Sequence, residues 1–181
     1  MATRTRGRDQ AVERVTEVFR ARGYDGAALS DLSEATGLGR SSLYHYFPGG
    51  KADMARASLG LVSGWIDALE AEVLALSTPA RRLERLARGL DEIYAGGRTP
   101  CLIGALSVSA AAPFEDDLTR VLRRSTEVLS IILTEAGAPP DAARTRAEDA
   151  IGAIQGALIL TRVLDDPAPF ERVLAAIRTA A

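Results

Sequence analysis

The sequence predicts an all-α fold of about nine helices, and three observations support this prediction. Apolar residues make up 47% of the 181 residues, which is enough for a buried core, whereas aromatic residues make up only 5%. Alanine, leucine, arginine and glutamate dominate while β-branched residues are sparse, a mixture that favours helices over strands. Apolar residues also recur at three- and four-residue steps, and glycine or proline interrupts these runs.

The first fifty residues contain the pattern of three short helices. We predict these helices over residues 9–23, 30–36 and 40–47, separated by glycines. Two short helices joined by a tight turn that contains glycine form a helix-turn-helix pattern. Residues 1–50 are therefore predicted to form an N-terminal domain, with residues 1–8 as a disordered arm.

Six further helices are predicted after the break at Pro48-Gly49-Gly50, and they form a second domain over residues 51–181. The expected ranges are 51–76, 79–95, 101–111, 115–136, 142–164 and 168–179. Thr78 supplies a hydroxyl N-cap to the fifth helix, and Asp141 is expected to cap the eighth. Pro113 is expected to end the sixth helix, because proline cannot continue a helix.

Charge is distributed unevenly along the chain, although the formal net charge is only −2. Residues 1–56 carry nine basic and seven acidic residues, a net of +2, whereas residues 57–181 carry thirteen and seventeen, a net of −4. A local basic patch matters more than net charge when a protein meets phosphate groups. The N-terminal domain is thus the candidate for nucleic-acid contact, and Arg4, Arg6 and Arg8 could reach a minor groove.

The third predicted helix and the residue that begins the fourth carry the strongest functional signal. Arg40, Ser41 and Ser42 supply the small or polar residues that a helix end needs to enter the DNA major groove, and arginine pairs with guanine edges. Tyr44 lies one turn further on, within reach of a phosphate. Lys51, the only lysine, stands at a helix start, where backbone amides also favour an anion.

This stretch resembles the TetR family of regulators over residues 9–60. The matching features are Gly23-Tyr24 after the first helix, Gly37-Leu38 in the turn, the run Leu43-Tyr44-His45-Tyr46-Phe47, and Lys51. Three later features are similar to a subgroup of that family. They are Pro48-Gly49-Gly50-Lys51, Cys101 after a Gly-Gly loop, and Gln155-Gly156-Ala157-Leu158 followed by Arg162.

The resemblance implies that the chain binds double-stranded DNA as a homodimer on a palindromic operator. The implied contact residues surround the recognition helix and are Ser30, Arg40, Ser41, Ser42, Tyr44, His45, Tyr46 and Lys51. Tyr46 could instead pack beneath the fourth helix. Ser30 is expected to cap the second helix, because Ala28 occupies the position where the family usually has a capping threonine.

The resemblance also implies that the second domain binds a small, largely apolar effector. Pockets of this kind are mostly apolar with a few polar groups. The candidate lining residues are Trp65, Leu69, Leu90, Tyr94, Cys101, Leu102, Leu106, Phe114, Leu122, Ser125 and Gln155, with ordinary core packing as the alternative for each. Effector binding would tilt the fourth helix and change the spacing between the two recognition helices, so repression relieved by ligand is the expected mode.

The seventh and eighth helices are expected to form the dimer seam. The eighth helix carries small residues that let two helices approach closely, namely Ala150, Gly152, Ala153, Gly156 and Ala157. Two such hairpins would build a four-helix interface. The predicted interface residues are Leu129, Ile132, Ile151, Ile154 and Leu158.

Other classes of function have less support. The sole histidine, His45, and the sole cysteine, Cys101, lie in different predicted domains, and no catalytic arrangement, metal-ligand cluster or phosphate loop appears. No catalytic residue, metal or cofactor is therefore predicted. A thiol sensor that uses Cys101 with Arg98 nearby stays open, as does a helical module for a non-DNA partner. The lone cysteine and the absence of a long apolar run favour a cytoplasmic protein without a membrane span.

Overall fold

A computed structural model describes residues 2–109 and 114–180, with side chains from Gly7 onward. These residues form helices only, which confirms the predicted all-α class. The described helices are α1 (Ala2–Gly26), α2 (Leu29–Thr36), α3 (Arg40–Tyr46), α4 (Lys51–Leu74), α5 (Pro79–Tyr94), α6 (Leu102–Ser107), α7 (Glu115–Glu135), α8 (Pro140–Leu164) and α9 (Ala168–Arg178). Within the described ranges, no helix is long and apolar enough to cross a membrane.

Two helix lengths differ from the prediction. Helix α1 begins at Ala2, so residues 2–8 belong to it and do not form a separate arm. The Arg8 guanidinium carbon lies 5.5 Å from the centre of the Phe47 ring, a contact that favours this helical extension. Helix α6 ends at Ser107 rather than near residue 111, and the Ser107 hydroxyl donates to the Gly104 carbonyl, as serine often does where helices end. The predicted stop at Pro113 lies outside the described residues.

Two of the three predicted helix caps are wrong. Thr78 caps α5 as predicted, accepting a hydrogen bond from the Arg81 amide at 3.4 Å. The N-cap of α2 is Ala28 and not Ser30, which lies inside the helix; the Asp31 carboxylate accepts from the Ala28 amide at 3.0 Å. Helix α8 begins with Pro140, whose ring suits a first turn, so Asp141 lies in the first turn rather than at the cap.

The described residues divide into two compact units. The first unit comprises residues up to Gly64 together with Leu102–Leu118, and the second comprises Trp65–Cys101 and the residues from Thr119 onward. The first unit thus reaches beyond residue 50 and includes α6. One cause is the backbone at Gly23, which has φ 68° and lies so close to α6 that a Cβ there would stand 3.0 Å from the Ala105 carbonyl oxygen.

Each unit has its own buried side chains. In the first unit, large apolar residues from α1 to α4 and α6 are excluded from solvent, namely Phe19, Leu32, Leu43, Phe47, Met54, Leu102 and Leu106. In the second unit the buried residues come mainly from α5, α7, α8 and α9, namely Leu83, Ile132, Leu133, Ile154, Leu158, Phe170 and Leu174. Burial of such side chains is the main stabilising term in each unit.

Candidate nucleic-acid interface

Helix α3 has one buried and one exposed face. Leu43 is fully buried, and Phe47, immediately after the helix, is almost fully buried. The remaining face is exposed and consists of the predicted contact residues Arg40, Ser41, Ser42, Tyr44 and His45. Tyr44 keeps 48% of its surface exposed although it is aromatic. The apolar anchors therefore hold the polar face outward, as a recognition helix requires.

The turn before α3 is fixed by its own hydrogen bonds. Gly37 has φ 66°, a left-handed conformation that glycine adopts without strain, and its amide donates to the Glu34 carbonyl at 3.2 Å. The Ser33 hydroxyl donates to the Leu38 carbonyl at 2.5 Å, and the Leu38 amide donates to the Thr36 hydroxyl at 3.3 Å. These bonds determine the direction in which α3 leaves α2.

The loop between α3 and α4 packs against the recognition helix. Gly50 is buried with φ 66°, and a Cβ there would lie 3.4 Å from Cε1 of Tyr44. The Gly49 amide donates to the Asp53 carboxylate at 2.5 Å. The first turn of α4 is thereby tied to the loop, which places Lys51 beside the exposed face of α3.

Lys51 begins α4, as predicted, and is half-buried. Its ammonium nitrogen lies 4.7 Å from the centre of the Tyr24 ring, at the end of α1. A cation over an aromatic face is attracted by the ring electrons and still has N–H donors to offer a phosphate.

The other predicted contact residues lie in different surroundings. Ser30 is exposed on α2. Tyr46 is half-buried, and its hydroxyl would stand 2.9 Å from a Cβ placed on Gly7, so it packs near α1 rather than beneath α4. Its ring lies 5.6 Å from that of His45. Tyr46 therefore has less free surface for DNA than its neighbours on α3.

Two acidic residues near this surface already have partners. Asp31 pairs with Arg22 at 2.7 Å and also accepts from a backbone amide. Asp53 accepts from the Gly49 amide and lies 3.4 Å from Nη1 of Arg56. Because their charges are offset locally, these carboxylates oppose an approaching phosphate less than free ones would.

The effector candidates are divided between the two units. Leu102, Leu106 and Phe114 are buried in the first unit, whereas the others belong to the second. In the second unit Leu69 and Tyr94 are buried, Leu90, Ser125 and Gln155 are half-buried, and Trp65 and Leu122 are 41% and 37% exposed. Of the cavities described in that unit, one of about 580 Å³ between α7 and α8 includes Leu122, and two others include none of the candidates.

Several of the proposed polar handles have partners inside the second unit. The Tyr94 hydroxyl donates to the Cys101 sulfur at 3.5 Å, and the Cys101 side chain is buried. The Ser125 hydroxyl donates to the Glu70 carboxylate at 2.9 Å. A ligand that used these groups would have to replace existing hydrogen bonds.

Glu70, a buried acid on α4, is not among the residues predicted from the sequence. Only 3% of this residue is exposed, and its carboxylate accepts from Nε of Arg124 at 2.6 Å as well as from Ser125. The hydrogen bond to Glu70, and next the charges of Glu70 and Asp67, raise the pKa of Arg124 above its usual value. The pair links α4 to α7 within the second unit. The sequence signal that could have identified Glu70 is an acidic residue at a position that the apolar period of α4 predicts to be buried.

Most of the predicted dimer residues lie on the inward faces of α7 and α8. Leu129, Ile132, Ile154 and Leu158 are already buried within the chain, so they have almost no surface left for a partner, and Ile151 is half-buried. The opposite face of α8 is exposed and apolar. It carries Gly152, Gly156, Ile159 and Val163 at four- and three-residue steps, flanked by Leu160 and Leu164. We call these six residues the α8 stripe.

Comparison with known proteins matches both parts of the chain. Residues 13–57 match the family described as bacterial regulatory proteins, tetR family, and residues 75–176 match the LmrA/YxaF-like transcriptional regulator C-terminal domain. The chain is 29% identical over 179 residues to an HTH-type transcriptional regulator of Mycobacterium tuberculosis, covering 92% of this chain and 89% of the relative.

Two further similarities extend over nearly the whole chain. The HTH-type transcriptional repressor DhaR of Mycobacterium sp. strain GP1 is 26% identical over 184 residues, covering 96% of this chain and 91% of DhaR. The crystal structure of a TetR transcriptional regulator from Chloroflexus aurantiacus superposes with a TM-score of 0.81 at 22% identity, covering 99% of this chain and 96% of that one. At that identity the likeness shows the fold alone.

Proposed function

Because the chain belongs to the TetR family of DNA-binding transcriptional regulators, we propose that it is a repressor that a small, largely apolar effector releases from a palindromic operator. The observation that carries this proposal is the exposed polar face of α3, held outward by Leu43 and Phe47, with Lys51 beside it. The similarity to DhaR, a repressor, supports the direction of regulation. We also place the protein in the cytoplasm, where its DNA lies.

Each residue at this interface would have a distinct role. Arg40, Ser41 and Ser42 would contact base edges in the major groove, because they occupy the N-terminal turn of α3. Tyr44 and Lys51 would contact phosphates on either side and thereby fix the register of the helix on the duplex. His45 and Ser30, both exposed, would add contacts at the margin, and Tyr46 would contribute least.

The α8 stripe would be the centre of the dimer interface. Ile159 and Val163 are 58% and 74% exposed, which is unusual for large apolar residues on a stable helix. A Cβ at Gly152 or Gly156 would meet no atom within 4 Å in the single chain, so intrachain packing gives no reason for glycine there. Close approach of a second helix would give that reason. Two copies would then present two recognition helices to the two halves of a palindrome.

The effector would act on the second unit and would be coupled to DNA through α4. This helix begins at Lys51 and continues into the second unit, where Glu70 is bonded to α7. A ligand that binds one position of α4 more tightly than another would shift the population toward that position. The placement of Lys51 and α3 would then change in proportion to this difference in affinity.

The interface is tested by fluorescence-anisotropy titrations with the DNA upstream of this protein's own gene, over a salt series. We expect tight binding that Tyr44→Ala combined with Lys51→Ala abolishes. Removal of Lys51 from both protomers should also reduce the salt slope by about 2, since each phosphate contact contributes about 0.9. Arg14→Ala is the matched control, because Arg14 is an exposed cation of α1 that pairs with Glu17. Equal binding by the double variant and the control would refute the interface.

The effector is tested with the same complex. Small apolar compounds are screened for DNA release, and a compound that releases DNA is then titrated while the fluorescence of Trp65, the only tryptophan, is followed. A compound that releases DNA without changing this emission would remove Trp65 from the pocket. Release by oxidants that Cys101→Ser abolishes would instead favour the thiol sensor, which the burial of Cys101 and its bond from Tyr94 make the weaker alternative.

A further inference from the structure

Tyr24, near the end of α1, packs against two aromatic side chains within the first unit. Its ring stacks on Phe19 with centroids 6.2 Å apart and meets Phe114 edge-on at 5.2 Å, and both partners are buried. The preceding residue, Gly23, has φ 68° and lies close to the Ala105 carbonyl, so a residue with a side chain would not fit at position 23. The position of the ring is therefore set from three sides before any DNA is present.

Lys51 lies over the face of the Tyr24 ring. The ammonium nitrogen lies 4.7 Å from the ring centre, within the range of a cation–π contact. A lysine side chain is otherwise among the most mobile in a protein, and binding that immobilises it loses conformational entropy. A ring fixed beneath it restricts the ammonium while leaving donors directed away from the ring.

We infer that Tyr24 is a positioning residue for DNA binding: it holds the Lys51 ammonium in place so that the phosphate contact forms with little further ordering. This inference rests on the proposed DNA contact of Lys51. It assigns to Tyr24 a role that acts through Lys51 and is separate from its packing against Phe19 and Phe114. It also means that the face of the ring, and not the hydroxyl, carries the effect.

The inference predicts a specific pattern in a double-mutant cycle for DNA affinity. Tyr24→Leu should weaken binding by about 2- to 5-fold per protomer, and so by about 5- to 30-fold for the dimer, because each protomer loses one exposed cation–π contact. Tyr24→Phe, which keeps the ring, should bind as the unaltered protein does. In a Lys51→Ala background, Tyr24→Leu should have no further effect on affinity, because the group that it positions is gone.

A spectroscopic readout tests the contact without DNA. Because Lys51 is the only lysine, labelling the intact protein with ¹³C-lysine gives one set of side-chain NMR signals. We expect the ε-methylene protons to be shifted upfield by the ring current in the unaltered protein and in Tyr24→Phe. In Tyr24→Leu they should return to the position of a free lysine.

Three results would overturn the inference, and they distinguish its own failure from a failure of the proposed interface. If Tyr24→Leu weakens binding equally with and without Lys51, or if the lysine signals are not shifted, then Tyr24 acts through packing alone. If Lys51→Ala leaves DNA affinity unchanged, the phosphate contact itself is absent and the proposed interface is at fault. In that case the NMR signals still report whether the ring holds the ammonium.

Discussion

The exposed faces of α3 and α8 differ in chemistry. The outer face of α3 is polar and is supported from behind by Leu43 and Phe47, whereas the outer face of α8 is apolar and contains two glycines. A surface that meets DNA must offer donors and positive charge to phosphates and base edges. A surface that meets another copy of the same helix gains stability from apolar burial and close approach. Under the proposed function, the polar face of α3 suits DNA and the apolar face of α8 suits a second copy of the chain.

The largest expected effect comes from adding charge to the apolar face. Ile159→Asp combined with Val163→Asp should convert the dimer to a monomer, because two buried carboxylates per protomer would lose their hydration at the interface. DNA affinity should then fall by about 10²- to 10⁴-fold, since the two half-sites would no longer be bound together. Sedimentation measures the oligomeric state, and fluorescence anisotropy measures the DNA affinity. Val108→Asp, at an apolar residue that is 83% exposed in the first unit, is the control. If the double variant remains dimeric, the dimer interface lies on another surface of the protein.

A second prediction separates the two faces of α3. Leu43→Ala should lower the free energy of unfolding by about 2–5 kcal/mol, because it leaves a cavity beneath the recognition helix. Ser42→Ala, at the adjacent exposed position, should change stability by less than about 0.5 kcal/mol and should instead lower DNA affinity. Chemical denaturation and anisotropy on both variants measure these effects. Loss of stability in Ser42→Ala would show that this face is structural.

The smallest expected effect has opposite signs in the monomer and in the dimer. Gly152→Ala should stabilise the single chain by about 0.5–1 kcal/mol, because alanine is the better helix former and a Cβ there meets no atom. The same methyl should weaken dimerisation by keeping two helices apart. Unfolding at low protein concentration measures the stability of the single chain, and the dimer dissociation constant measures the strength of association. Gly60→Ala, at an equally open position on α4, should stabilise without changing dimerisation. A smaller dimer dissociation constant for Gly152→Ala would contradict the proposed role of the α8 stripe in dimerisation.

The sequence predicted the positions of the helices more accurately than it predicted which helix surfaces pack against other helices. Most helix ends lie within a few residues of the expected positions, because glycine, proline and the apolar period act locally. The outward direction of Arg40 and Tyr44 also follows from local period, since Leu43 and Phe47 mark the inner face. Local period alone could not decide whether Ile132 and Leu158 face a partner or the interior of their own chain. Helix α8 is apolar on both faces, and only the packing of the other helices shows which face is already covered.

The effector candidates could not be grouped from sequence for a similar reason. A pocket is formed by side chains that are distant along the chain, and periodicity only shows that each faces inward. Glu70 illustrates this limit, because its burial is understandable only once Arg124 and Ser125 are seen beside it. Arg8 shows the same limit at the N-terminus, where a ring contact and a helix replace the expected arm.

The central claim is that two recognition helices, held together by α8, read the two halves of one operator. The most direct test is selection of bound sequences from a random double-stranded DNA library by the intact protein, followed by sequencing. We expect enrichment of an inverted repeat, and we expect this enrichment to be lost when Ile159→Asp and Val163→Asp are introduced. Enrichment of a single unrepeated site, or of no sequence at all, would contradict it.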